Sequence, residues 1–409
     1  MNHYSIASLS LLLLVCGSAM AQDVVALPSL GGTGSLAMDI NDLDEVVGQS
    51  IDGSGVLMAT RWDASGTPTA LGKLDGTVLS SAEAINNNGE IVGRSENSDG
   101  IAFSTYWDGR GGIVDMHTAI GAHGTSVAWD INDNGLIVGQ APLSPGFSKG
   151  FIWDQVNPAQ SEGALSFYMG SANYGVNNNG ELVGSAFFFG DPDDATHAVP
   201  DGSGGYEYPS INPSGFFFSQ AKAINNNGLM VGHSGANSTT DSWNACIFTG
   251  DLSNPVQTLG TLDGWNTSEA VDVNDDGMIV GYAWDGNFVL EPHAWAYIDG
   301  QMHDLNDLLN AESDFDRLVQ ATGVNNDGDI VGIGVLKNGM TSAFLIENYG
   351  GGDECVADLT GDGNLDFFDV SAFLGAFSNQ EPPADFTGDG NFDFFDVSAF
   401  LNAFNAGCP

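Results

Sequence analysis

The chain has 409 residues, with 53 acids against 8 bases and a formal net charge of −45. That charge excludes nonspecific attraction to nucleic acid or anionic lipid, both of which would be repelled at long range. The 56 glycines and scarce Lys and Arg fit a turn-rich, all-β chain rather than a helical one, long enough for more than one domain.

Residues 1–21 read as a secretory signal peptide. The apolar run at 9–15 is too short to span a bilayer, and Ala19, Met20 and Ala21 form a small-residue cleavage site. No later stretch is long and apolar enough to cross a membrane. The expected location is therefore extracellular or at a cell surface. The mature chain then opens with VVALPSLGG, whose residues 27–32 (LPSLGG) match LGKLDG at 71–76 and LGTLDG at 259–264. Those two later copies end a repeat, so the chain is expected to begin with the last strand of a unit.

The repeat itself centres on residues 80–95, SSAEAINNNGEIVGRS. Seven copies of A-x-x-I-N-N-N-G-x-I-V-G place an Asn at 41, 86, 132, 177, 225, 274 and 325, with gaps of 45, 46, 45, 48, 49 and 51 residues. A period of this length points to repeated supersecondary units, four-stranded propeller blades among them. Each Asn/Gly cluster is flanked by small or β-branched residues. Pairs such as Asn88-Gly89 and Asp276-Gly277 supply the positive φ of a tight hairpin. The first copy has Leu43-Asp44 there, and its turn is expected to be strained or different. The glycines that close each phrase, Gly48 through Gly332, are expected where backbones crowd toward an axis. Asp130 to Gly135 and Asp272 to Gly277 look like the first half of a calcium loop, but no acid stands at the twelfth position, so the hairpin reading is preferred.

Each unit adds a strand of the type ATRW (59–62), AFSTYW (102–107), GFIW (150–153), ACIF (245–248), HAW (293–295) or AFL (343–345), then a polar turn and a final strand. The fourth unit is the least regular, with His197 to Val199 and Tyr206 to Tyr208 as its outer strands. Two strands in the phrase and two after it make four per unit. The seventh unit ends near Glu347 without its last strand, which is the piece the N-terminus carries. Lending that strand closes a ring and removes open edges. The expected fold is thus an all-β seven-bladed propeller of four-stranded blades over residues 22–348, plus a small α-helical calcium module. The repeat phrase with its HAW-like strand resembles the HAF-type extracellular repeat over about residues 24–347. That resemblance implies a secreted repeat protein and no particular reaction.

Residues 349–354 (YGGGDE) read as a short glycine-rich linker to a second repeat at 355–409. Residues 357–377 read ADLTGDGNLDFFDVSAFLGAF and 384–404 read ADFTGDGNFDFFDVSAFLNAF, with three of 21 positions different and an offset of 27. Counted from Asp358, oxygen ligands fall at loop positions one, three, five, seven, nine and twelve: Asp358, Thr360, Asp362, Asn364 (by its carbonyl), Asp366 and Asp369. The second copy offers Asp385, Thr387, Asp389, Asn391, Asp393 and Asp396. This is the ligand order of an EF-hand loop. All-oxygen donors favour calcium over zinc, so two calcium ions are expected. Asp rather than Glu at the twelfth position shortens the last ligand's reach. Apolar residues at helical spacing from Val370 to Phe377 place a short amphipathic helix after each loop.

The pair resembles a type I dockerin, and Cys355 with the terminal Gly407-Cys408-Pro409 makes it similar to the GC-type dockerins at the ends of exported bacterial proteins. The resemblance implies noncovalent anchoring to a cohesin-like protein on a scaffold or surface. Where such modules usually carry a Ser-Thr-like recognition pair, this chain has Phe367-Phe368 and Phe394-Phe395. One Phe of each pair is expected either between the helices or exposed as an apolar docking anchor. In an exported protein, Cys355 and Cys408 are expected to pair, a link of ~4 kcal/mol in the chain-entropy model. Cys246, left over in its ACIF strand, reads as a buried thiol.

No catalytic motif is present, and the histidines share no ligand spacing. The preferred function is a non-enzymatic, secreted binding or structural propeller anchored by a calcium-dependent dockerin. The alternative is a carbohydrate-active enzyme or glycan-binding component of a polysaccharide-degrading assembly. The irregular stretch 187–218, with Asp191, Asp193 and Asp194, is its one candidate for an acid-bearing catalytic loop.

Overall fold

The computed structural model describes residues 23–143, 147–155, 160–161, 169–187, 193–209, 211, 218–235, 243–250, 256–285, 291–350, 357, 359–360, 365, 367–380, 382–384, 386, 392 and 394–406. Seven four-stranded antiparallel sheets account for the repeat body. The second is typical: Leu79–Ile85, Ile91–Glu96, Ala102–Trp107 and Ile113–Asp115 pair in chain order. The first strands of neighbouring sheets touch all the way round, with Phe315–Val324 of the seventh against Gly31–Ile40 of the first. The body is a seven-bladed propeller, as expected.

The ring closes where the ends of the repeat array predicted it would. Val24–Leu27 is the outer strand of the seventh blade, antiparallel to Thr341–Ile346, with Val24 opposite Ile346 and Leu27 opposite Ala343. The indole N–H of Trp62 in the first blade donates to the Pro28 carbonyl at 2.8 Å, which ties the closing segment to the next blade.

The paired aliphatics of each phrase are explained by sheets buried on both faces. In the second blade Ile91 packs toward the first blade with Val47, Ala59 and Trp107, while Val92 packs toward the third with Ile131, Ile137 and Phe151. Both are fully buried. A serine two residues before the phrase alanine adds a polar staple. Ser80 Oγ accepts the Ala59 N–H of the previous blade at 2.9 Å and donates to the Gly72 carbonyl at 2.8 Å. Ser35, Ser126, Ser171, Ser219 and Ser268 each accept a previous-blade N–H in the same way. Val319 stands at this place in the seventh blade.

Three expectations need correction. The phrase hairpins are not two-residue turns with both central residues at positive φ. Gly89 N–H bonds to the Asn86 carbonyl and Asn86 N–H to the Glu90 carbonyl, and only Gly89 has positive φ, at 74°. That is a type I turn closed by a glycine bulge. The first copy makes the same turn, with Asp44 at φ 58° in the glycine's place. Second, the phrase-closing glycines are crowded inside their own blade rather than at the axis. Every first strand carries a β-bulge at the phrase, between Ala82 and Ala84 in the second blade. A Cβ on Gly93 would sit 2.2 Å from the Ser81 carbonyl oxygen, and one on Gly184 1.9 Å from that of Ala172. Third, the final strands expected at residues 69–74, 113–116, 256–262 and 301–305 all end earlier, at Ala70, Asp115, Gly260 and Asp304. Met116 starts a one-turn helix, α1 (Met116–Ala119), and Leu305 starts a 3-10 turn (Leu305–Leu308).

The C-terminal part forms its own small core. Helices α2 (Phe367–Asn379) and α3 (Phe394–Ala406) meet through Phe373 and Phe400, stacked at 4.1 Å with 3° between planes. Phe386 packs edge-on against both, and Phe377, Phe392 and Phe404 surround them. Both helices begin three residues earlier than the apolar spacing suggested, so the Phe pairs lie in their first turns.

Candidate functional site

The axis of the wheel is lined by successive tiers of the phrase, about 3.3 Å apart along each first strand. The tier at the turns is a collar of asparagines. Asn41 Nδ2 donates to the Asn86 carbonyl of the next blade at 3.1 Å, Asn86 to Asn132 at 3.0 Å, and Asn132 to Asn177 at 2.8 Å. The series continues through Asn177, Asn225 and Asn274, and Asn325 returns to the Asn41 carbonyl at 3.3 Å. A second circle runs beside it. The N–H of residue 42 donates to Asn87 Oδ1, and so on round, until the Asn326 N–H reaches Asp42 Oδ1 at 2.9 Å. Each collar Asn also caps its own turn, as Asn86 Oδ1 does for the N–H groups of Asn88 and Glu90. The collar asparagines are therefore mostly committed to internal bonds. Asp133 and Asp275, from the two segments that look like the first half of a calcium loop but read as hairpin turns, are members of this second circle. The collar encloses about 150 Å³.

Next comes a ring of Ile or Val, from Ile40 to Val324, and then the two variable positions of A-x-x-I. These line a larger cavity of about 360 Å³. Its upper tier is Met38, Glu83, Trp129, Tyr174, Lys222, Val271 and Thr322, one residue from each blade. Its lower tier includes Asp39, Asp130 and Asp272.

The three aspartates bind backbone on both sides of a blade junction. Asp39 Oδ2 accepts the Ile85 N–H at 2.8 Å while Oδ1 accepts its neighbour Ile40. Asp130 does the same with Val176 and Ile131, and Asp272 Oδ2 accepts the Val324 N–H at 2.9 Å. Burial raises the Asp39 carboxyl well above the usual range, and the charges of Asp272 and Asp130 add to that. Burial also raises Asp272, and lifts Asp130 to about 6.

Glu83 and Glu269 are buried too, but each has a cation. Glu83 pairs with Arg94 at 2.7 Å, though burial still leaves its carboxyl raised. Burial opposes the charge of Glu269, but Lys222 at 3.2 Å, His233 and the Tyr282 hydroxyl outweigh it and hold the carboxyl well below its usual range. The Lys222 ammonium also lies 4.6 Å over the Tyr174 ring. Trp129 meets Tyr174 edge-on at 6.3 Å, and its indole N–H is buried without a partner.

Of the expected calcium ligands, Thr360, Asp369 and Asp396 are described. Asp358, Asp362, Asn364, Asp366, Asp385, Thr387, Asp389, Asn391 and Asp393 lie outside the described residues, as do Cys355 and Cys408. Asp369 and Asp396 are fully buried at the starts of their helices. Asp369 Oδ1 accepts both the Thr360 N–H at 3.0 Å and its hydroxyl at 2.9 Å, so loop positions three and twelve are brought together. Phe367, Phe368 and Phe394 are 75%, 65% and 76% exposed. For the first pair this corrects the alternative of packing between the helices, because Phe373 and Phe400 already fill that space. The Phe395 side chain lies outside the described residues. Cys246 is a buried free thiol, as expected, with burial pushing it up to about 12.

Among the described residues of the irregular stretch, none lines the cavity. Asp191 lies outside the described residues, and Asp193 bonds the Gln220 amide at 2.6 Å. The acids that face the axis come from the phrase itself. Sequence reasoning noted Asp130 and Asp272 only as possible starts of calcium loops and passed over Asp39, Glu83 and Glu269; the usable clue was that the first variable position differs in every copy, while the second is Asp in three of them.

No family model matches the sequence, and no curated protein does. Solved structures of similar fold include puromycin hydrolase, 12% identical over 80% of this chain and 56% of that one, with a TM-score of 0.49. Another is the β-propeller domain of the trilobed protease from Pyrococcus furiosus, at 11%, 76%, 95% and 0.45. A third is the BP39L lectin from Burkholderia pseudomallei, at 9%, 78%, 97% and 0.45. The chain spans little more than half the length of puromycin hydrolase. At these identities the likeness concerns the propeller fold alone.

Proposed function

We propose that this chain is a secreted binding or structural propeller, anchored to a cohesin-like protein at a cell surface or extracellular assembly through a calcium-dependent, dockerin-like helical pair. The observation that carries the anchoring is the exposure of Phe367, Phe368 and Phe394 on helices whose shared core is already filled. Large exposed aromatics on so small a unit suit a partner surface.

The residues present fit calcium. Two carboxylates, Asp369 and Asp396, are buried where twelfth ligands belong, and Thr360 already lies beside Asp369. Asp358, Thr360, Asp362, Asn364, Asp366 and Asp369 would hold one ion, and the matching set from Asp385 to Asp396 the other. Bound calcium would neutralise the crowded carboxylates and fix each loop against its helix. The bore's carboxylates favour binding over hydrolysis, since Asp39, Asp130 and Asp272 are held by backbone N–H groups and Glu83 and Glu269 by cations.

Titration of the full chain with calcium chloride, followed by calorimetry, tests the tail. Two ions per chain are expected, with one lost in Asp369→Ala. Chelation should lower the helical circular-dichroism signal and leave the sheet signal in place. A stoichiometry well below two would sink the reading.

A further inference from the structure

We propose that the bore cavity is a binding site for a small organic ammonium ion, held between the Trp129 and Tyr174 rings and the carboxylates of the lower tier. The inference rests on reading the propeller as a binding module and is independent of the calcium reading of the tail.

Three observations lead there. The cavity, about 360 Å³, is large enough for a ligand of several heavy atoms. Its upper tier is the first variable position of the phrase, at which all seven copies differ, while the Asn tier that links the blades is the same in all seven. The cavity's charge is lopsided, with Asp39, Asp130, Asp272, Glu83 and Glu269 facing a single lysine.

The protein's own lysine shows the chemistry. The Lys222 ammonium sits over the Tyr174 ring with Glu269 beside it, so an alkylammonium on the same wall would meet both aromatic faces and carboxylates. The raised Asp130 adds a pH signature, because a cation favours its ionised form. Asp39, Asp272, Glu83, Glu269 and Lys222 also face the cavity. Of these, Asp39, Asp272 and Glu83 are shifted in the same direction as Asp130, so affinity should rise from pH 5 to pH 7.5.

The test is calorimetry on the calcium-loaded full chain with tetramethylammonium, butylammonium and putrescine as probes and glucose as the neutral comparison, in 0.15 M sodium chloride. One alkylammonium ion per chain is expected, with affinity at least tenfold lower in Trp129→Ala and in Tyr174→Leu. Both variants leave the net charge of −45 unchanged, so diffuse attraction to an acidic protein would not respond to them. Should either fail to fold, Asp130→Asn serves, since one charge among so many matters only at a specific site. Uptake that is equal in the variants, absent, or replaced by glucose binding would overturn the proposal. Calcium uptake at two ions with no ammonium binding would reject this inference alone.

Discussion

Asp44 is the one phrase turn in which a side chain stands where six other copies have glycine. Its φ of 58° is left-handed backbone, and burial together with the nearby Asp329 raises its carboxyl above the usual range. Asp44→Gly removes both the backbone strain and the like-charge contact. It is expected to stabilise the fold by about 1 kcal/mol, read as a higher midpoint in urea. A lower midpoint would mean that the 3.5 Å approach of Asp44 to Asn325 matters more than the strain. Gly93 is the opposite case. Its added Cβ meets a backbone carbonyl, which no rotamer change can relieve, and its sequence context shows only that it recurs.

At the scale of elements, the hairpin of each phrase does two jobs with one residue. Asn225 caps its own turn at Asn227 and Leu229 and donates to the Asn274 carbonyl of the next blade at 2.8 Å, while buried. Asn225→Ala strands one buried acceptor and two donors. A loss of about 3 kcal/mol is expected by thermal or chemical melting. Asn227→Ala, at an exposed amide, should cost about 1 kcal/mol or less. Equal losses from the two would show that the buried collar amide adds no more than the exposed Asn227 amide, which donates to the Asp275 carbonyl of the same neighbouring blade. The turn role was legible, because Asn before Gly is local chemistry. The ring role was not, because the acceptor lies 49 residues away. The serine staples escaped notice for the same reason. In the tail, loop–helix order was legible from the duplicated segment, but the filling of its core by Phe373 and Phe400 was not, since every Phe in it has the same local context.

At the scale of the whole molecule, charge and closure set the behaviour. Asp39, Asp44, Glu83, Asp130 and Asp272 all have raised carboxyls when folded. Such a group binds more protons folded than unfolded, so stability rises as pH falls from 7.5 through about 6 for Asp130. Depressed carboxyls, Glu269 and Asp201 among them, lose their contribution only at more acidic pH, below the usual carboxylate range. Partly buried His117 and His197, whose imidazoles are pushed down by burial, oppose that gain over the same range, so the expected effect is differential: from pH 7.5 to 5.5 the melting temperature of the parent should rise relative to that of Asp130→Asn. A difference between the two that does not change with pH would contradict the bore electrostatics. Removing residues 23–28 would expose the Thr341–Ile346 edge. The truncated chain is expected to melt lower and to associate, as light scattering after size exclusion would report. An equally stable monomer would mean that the seventh blade stands without its borrowed strand.

Blade number, strand number and ring closure could be read from the chain alone, because they follow from the repeat period, from glycine's access to positive φ, and from the missing strand at one end matching the spare strand at the other. The tertiary structure alone decided what faces the axis. A bulge at the phrase and the closing of seven sheets turn scattered positions of the copies into the wall of one cavity, and they bring amides and carbonyls from different units within bonding distance. Those contacts exist only after the ring has formed, so no local pattern records them.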